Sequence, residues 1–262
     1  MKRLRGCFAR CSSRLSRIRP APVLALAALL VAALTAVAPP AEARPKGVGR
    51  AAIEKAIPDY PLPERLTCDG ADAVISVLDD MTWESMRVLK RQIAAAIGAN
   101  SCNIQLVLDS PGGLMIPTLN VAWYLEDLPR QITVTTVVPE GASCNSACTM
   151  LYAVGKKRAA GTNATFLFHP LEVAVTNPRL EGRIPAIEDE MITYWIELVR
   201  RADPWLARVL AGARVFGRST RFAYLEAGDL HQNAHGWVSE MRPGCMMVPA
   251  EARGDGPAAT AC

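Results

Sequence analysis

No stretch of this sequence is low in complexity and no segment repeats another, so fibrous and repeat architectures are excluded. Excess positive charge is missing from most of the chain as well. Residues 1–43 hold seven Lys and Arg against the single acid Glu42, so a whole-chain formal charge of +4 leaves the remainder at about −2, and nothing there calls for a nucleic-acid partner. A convincing metal site is also lacking. Cys144 and Cys148 are spaced like ligands but have no second ligand pair, so neither metal nor cofactor is expected. What the chain does have is apolar content: half of its 262 residues are hydrophobic, enough for one substantial core plus extensions.

The first extension is amino-terminal. Lys2, Arg3, Arg5, Arg10, Arg14, Arg17 and Arg19 precede a charge-free apolar run from Ala21 to Ala38, and Ala41-Glu42-Ala43 supplies the small residues of a cleavage site. Residues 1–43 therefore read as a signal peptide for Sec-type export, cleaved after Ala43. The alternative is an uncleaved membrane anchor, because the run approaches the roughly 20 residues needed to span a bilayer. The Lys and Arg before the run keep the amino terminus in the cytoplasm and send the rest outside. The expected location is periplasmic or extracellular, or inner-membrane-anchored with the domain outside, and membrane contact is expected only through an uncleaved segment. Once Cys7 and Cys11 leave with the leader, Cys68, Cys102, Cys144, Cys148, Cys245 and Cys262 remain. An even count in an oxidising compartment favours disulfides, with roughly 15 pairings open.

Residues 44–66 are rich in proline and charge and read as a linker, followed by a folded domain over 67–245 and a carboxyl-terminal tail over 246–262. Ala73 to Leu78, Ile104 to Leu108 and Ile132 to Val138 are β-type runs. Between them, Met86, Leu89, Ile93 and Ile97 recur at helical spacing, and a second amphipathic segment covers Leu119 to Leu128. A further helical stretch from Ile184 to Val215 is broken by Pro204, with Ile187, Met191, Tyr194, Trp195 and Leu198 along one side. Strands alternating with helices indicate parallel strands joined by crossovers, hence an α/β fold.

Three strand ends carry candidate chemistry. Gly141-Ala-Ser-Cys-Asn-Ser-Ala-Cys148 links a β-type run to an apolar helix, so Ser146 sits where free backbone N–H groups favour negative charge, although serine is also a common helix cap. Leu108-Asp-Ser-Pro-Gly-Gly113 ends a strand in a glycine pair whose backbone can approach a ligand, or which simply makes a turn. Thr165-Phe-Leu-Phe-His-Pro170 puts His169 at the end of a third strand, as a base or as a structural residue. The order of glycine pair, serine and histidine suits an α/β fold, which gathers its sites at strand ends.

From Ala73 to about Glu240 the sequence resembles the proteolytic subunit of Clp protease, within the crotonase superfamily, and more closely the exported Clp-like proteins of bacteria. The residues that carry this are Asp109-Ser-Pro-Gly-Gly113, the turn around Ser146, Ala153-Val-Gly-Lys-Lys-Arg158 with its basic turn, and Asn163-Ala-Thr-Phe-Leu-Phe-His169 followed by Pro170. Ser146 and His169 are 23 positions apart, close to the family separation.

The resemblance implies a single-domain crotonase-like spiral of ββα units and a serine peptidase or related acyl hydrolase, acting on peptides, flexible segments or esters. Ser146 is then the nucleophile, His169 its base, and the N–H groups of Ala147 and of Gly112 or Gly113 the oxyanion hole. It also implies a homo-oligomer. The family's acid is missing: Phe216-Gly-Arg-Ser-Thr220, before Arg221-Phe222, holds no Asp or Glu. A backbone carbonyl or neutral side chain of that segment is expected to orient His169, with Asp229 the main charged alternative and Glu226 and Asp203 as surface or cap residues. The missing acid also leaves open a binding or scaffold protein that kept the fold and lost efficient chemistry.

Overall fold

The computed structural model describes residues 57, 59–170, 184–216, 221–248 and 259–261. The leader and the Gly217–Thr220 segment lie outside them. Among the described residues the fold is mixed α/β, with six helices and a mostly parallel arrangement of strands.

The main sheet runs β1 (Ala73–Val77), β2 (Asn103–Leu108), β3 (Thr133–Val138), β5 (Lys157–Ala160) and β8 (Glu240–Met241), every neighbouring pair parallel. Its central strands are buried on both faces, which is why Ile104 to Leu108 and Thr133 to Val138 read as apolar or β-branched runs. A second sheet holds β4 (Ser143–Asn145) parallel to β6 (Thr165–Phe168), with β7 (Ala223–Glu226) antiparallel on the far side of β6. Two isolated parallel bridges, Met81 to Gly113 and Ser110 to Cys144, extend that layer toward the ends of β1 and β2.

Helix α1 (Trp83–Gly98) starts on a capping box, with Thr82 and Ser85 bonding each other's backbone, and buries Met86, Leu89, Ile93 and Ile97 as the helical spacing predicts. Helix α2 (Met115–Glu126) starts four residues before the expected segment and is not amphipathic: all residues from Met115 to Leu125 except Ile116 are buried, since it lies between other elements. Helix α3 (Cys148–Val154) follows the serine turn. Helices α4 (Ile184–Ala202) and α5 (Pro204–Gly212) are separated where Pro204 predicted, and Asp203 caps α5 by accepting from Leu206 N–H at 2.7 Å. Met191, Tyr194, Trp195 and Leu198 face the core, while the Ile187 side chain lies outside the described residues. Helix α6 (Ala227–Asn233) follows β7 directly. Among the described residues, no helix is long and apolar enough to cross a membrane.

Three segments carry structure that their composition does not announce. The linker is packed from Ile57, which is fully buried, and Asp59 pairs with the fully buried Lys90 at 2.5 Å. Lys90 also donates to the Ile57 carbonyl at 3.1 Å and to Asn120 Oδ1 at 2.8 Å and lies over the Tyr124 ring, so a lysine on the buried face of α1 finds its partners in the preceding segment and in α2. Burial, with Asp59 nearby, pushes the Tyr124 hydroxyl up to about 12. The basic turn at Lys157 is strand β5, because its backbone completes the pairing of β3. The carboxyl-terminal tail contributes an antiparallel pair, β9 (Met246–Val248) with β10 (Ala259–Ala261).

Candidate active site

The glycine pair, the serine and the histidine all leave the second layer at the same end. Ser110 bridges Cys144, and Cys144 pairs with Phe166, so three parallel segments lie side by side, and each continues for two or three residues into its motif. The Ser110 carbonyl accepts from Asn145 N–H at 3.0 Å, and the Leu167 carbonyl from Ser146 N–H at 2.7 Å.

Ser146 is not glycine, yet its φ is 53°. That left-handed conformation costs an ordinary residue about 1–2 kcal/mol, and it persists because the surroundings fix it. Thr149 donates to the Ser146 carbonyl through its N–H at 3.0 Å and its hydroxyl at 2.7 Å, and the buried Trp195 donates to that hydroxyl at 3.0 Å. A disulfide joins Cys144 to Cys148, closing a ring around Asn145, Ser146 and Ala147. Both sulfurs are used by this bond, so the thiolates of the zinc alternative are not present. A second disulfide joins Cys68 to Cys102, and Cys245 is disulfide-bonded as well.

Gly112 and Gly113 have φ of 101° and 141°. A Cβ on Gly112 would lie 2.7 Å from Ser146 Cβ and 3.3 Å from Ala147 N, so only glycine lets the two turns touch. The two glycine donors differ. Gly112 is buried and its N–H donates to Ser110 Oγ at 3.1 Å, whereas Gly113 is exposed and its N–H, like that of Ala147, has no acceptor among the described residues.

His169 follows β6 and is part-buried, like Ser146. Its Nδ1 lies 2.7 Å from the Pro170 carbonyl oxygen. A carbonyl only accepts, so in the neutral ring the proton is on Nδ1 and the lone pair on Nε2. No hydrogen bond joins Ser146 and His169 side chains among the described residues.

The candidate acids are elsewhere. Glu226 pairs with Thr165, at the opposite end of β6 from His169, and Asp229 follows Glu226 into α6. Along the strand that separation is about 13 Å. Asp203 is buried and occupied, its second oxygen accepting from Gly236 N–H at 2.9 Å. The partner of His169 Nδ1 is thus the carbonyl of the adjacent Pro170, a backbone atom that no sequence pattern signals. Arg158, from the basic motif, bonds the carbonyls of Gly155, Gly236 and Trp237 instead of facing the site. Burial pulls its guanidinium below the ordinary range, with Tyr152 and Asp203 acting the other way.

No family model matches the chain, and no curated protein matches it.

Proposed function

We propose that this chain is an exported serine hydrolase of the Clp-protease and crotonase type, acting on peptides, flexible segments or esters. One observation carries the reading: three separate segments bring a left-handed serine, a glycine pair whose first member, Gly112, is packed against it, and a strand-end histidine to one end of one layer. A repeating order supports the ββα spiral: β1, the Met81 bridge and α1; β2, the Ser110 to Gly113 bridges and α2; then β3, β4 and α3. Disulfides are consistent with an oxidising compartment, and so with export.

In this mechanism Ser146 Oγ attacks the substrate carbonyl carbon and its proton passes to His169 Nε2. The oxyanion takes the N–H groups of Ala147 and Gly113, the two donors left free. As the intermediate collapses, the leaving amine or alcohol collects the proton from His169. Water, deprotonated by the same nitrogen, then releases the acyl group from Ser146. The Pro170 carbonyl holds the tautomer but, being neutral, stabilises the imidazolium less than a carboxylate would, so turnover is slow.

A fluorophosphonate probe on the purified protein tests this. Label is expected on Ser146, with label and ester hydrolysis abolished in Ser146→Ala, reduced about 1000-fold or more in His169→Ala, and retained in Asp229→Asn. Labelling that survives Ser146→Ala overturns the assignment. The absence of a Ser146–His169 hydrogen bond favours the second reading, a scaffold without chemistry, and a correctly folded protein that takes no label would establish it.

A further inference from the structure

The Cys144–Cys148 disulfide lies outside the catalytic roles and touches their centre. Cys144 is the middle residue of β4, Cys148 the first of α3, and both are fully buried, with Cα atoms 5.2 Å apart. The ring they close contains only Asn145, Ser146 and Ala147, which are the residue before the nucleophile, the nucleophile and one oxyanion donor. Hydrogen bonds also hold the turn, from Asn145 N–H to the Ser110 carbonyl, from Ser146 N–H to the Leu167 carbonyl and from Thr149 to the Ser146 carbonyl, but the disulfide is the covalent link across it.

We propose that this disulfide is a positioning element of the Ser146 site, holding the serine in its left-handed conformation so that Oγ and the Ala147 N–H point at the same reacting carbonyl. The proposal rests on the hydrolase reading. Its physical basis is the change of direction at Ser146. A strand entering and a helix leaving would, without a covalent link between their first buried residues, let φ of Ser146 relax toward the negative values that a side chain prefers. That relaxation would re-aim Oγ and move the Ala147 N–H, the two groups that the reaction needs together. Because both sulfurs are buried, the link is a fixed part of the site. Cys68–Cys102, 34 residues apart in sequence and with neither cysteine next to a site motif, serves as the control.

The test compares Cys144→Ala/Cys148→Ala with Cys68→Ala/Cys102→Ala, using kcat and KM for an activated ester, the rate of fluorophosphonate labelling, and thermal melting. Expected for the first pair is a fall in kcat and labelling rate of about 10- to 100-fold with KM within about twofold, and for the control a lower melting temperature with kcat nearly unchanged. If the alanine pair does not fold, Cys144→Val/Cys148→Ala keeps the strand's volume and is measured instead. Labelling at the wild-type rate in either Cys144/Cys148 variant overturns the clamp and leaves the hydrolase standing, as does an equal loss of kcat in the control. A wild-type protein that takes no label at Ser146 removes the hydrolase reading, and the clamp with it.

Discussion

Gly112 and Gly141 share a positive φ, 101° and 71°, but not their surroundings. A Cβ at Gly112 would be 2.6 Å from the Asn145 carbonyl oxygen and 2.7 Å from Ser146 Cβ, while one at Gly141 meets nothing within 4 Å. Conformational strain is common to both positions and crowding is not. Gly141→Ala should therefore cost about 1 kcal/mol and leave probe labelling of Ser146 intact. Gly112→Ala should push the serine turn away and slow labelling about 100-fold or more. Equal labelling rates for the two, measured on folded protein, would show that the glycine turn does not hold the nucleophile. The same contrast marks what could be read in advance. Ser-Pro-Gly-Gly announces a turn; that its first glycine is pressed against a serine 34 positions later follows from strand pairing, which no local pattern states.

At the scale of elements, the docked segment ahead of β1 depends on Lys90. Replacing it with methionine keeps the helix and much of the volume, but removes the bonds to Ile57, Asn120 and Asp59 together. Lys90→Met is expected to lower stability by about 2 kcal/mol and to speed tryptic cleavage at the exposed Arg65, whereas Asp59→Asn, on a side chain 73% exposed, should cost less than about 1 kcal/mol. Urea melting and timed digestion check both. Proline and charge in 44–66 read as a linker because composition does not reveal that Ile57 has a place in the core. Strand β1 and helix α1 were legible because their periods match their burial, and β2 and β3 because strands buried on both faces read as continuous apolar or β-branched runs. Helix α2 misled because a helix buried on all sides has no polar face to define its period, and β4 and β5 are too short to show alternation. Of the site, the residue types and their order were legible; the group facing His169 Nδ1 was not, since it is a backbone atom and carries no side-chain signature.

For the whole molecule, export as proposed predicts a mature protein that begins at Arg44 and lies outside the cytoplasmic membrane. Amino-terminal sequencing of the fractionated protein checks it, and an intact Met1 terminus in a soluble cytoplasmic fraction would overturn it. A chain delivered that way arrives extended and must pair parallel strands that are far apart in sequence, which makes its assembly slow. The two cysteine pairs enter that process unequally. Cys68 and Cys102 meet only after the 34-residue stretch that contains β1 and α1 has come together, whereas Cys144 and Cys148 are four residues apart and meet whenever one turn forms. Oxidation of the shorter pair therefore does not have to wait for the sheet. The segment that turns a strand into a helix at Ser146 can enter folding already closed, with part of its conformational entropy lost in advance.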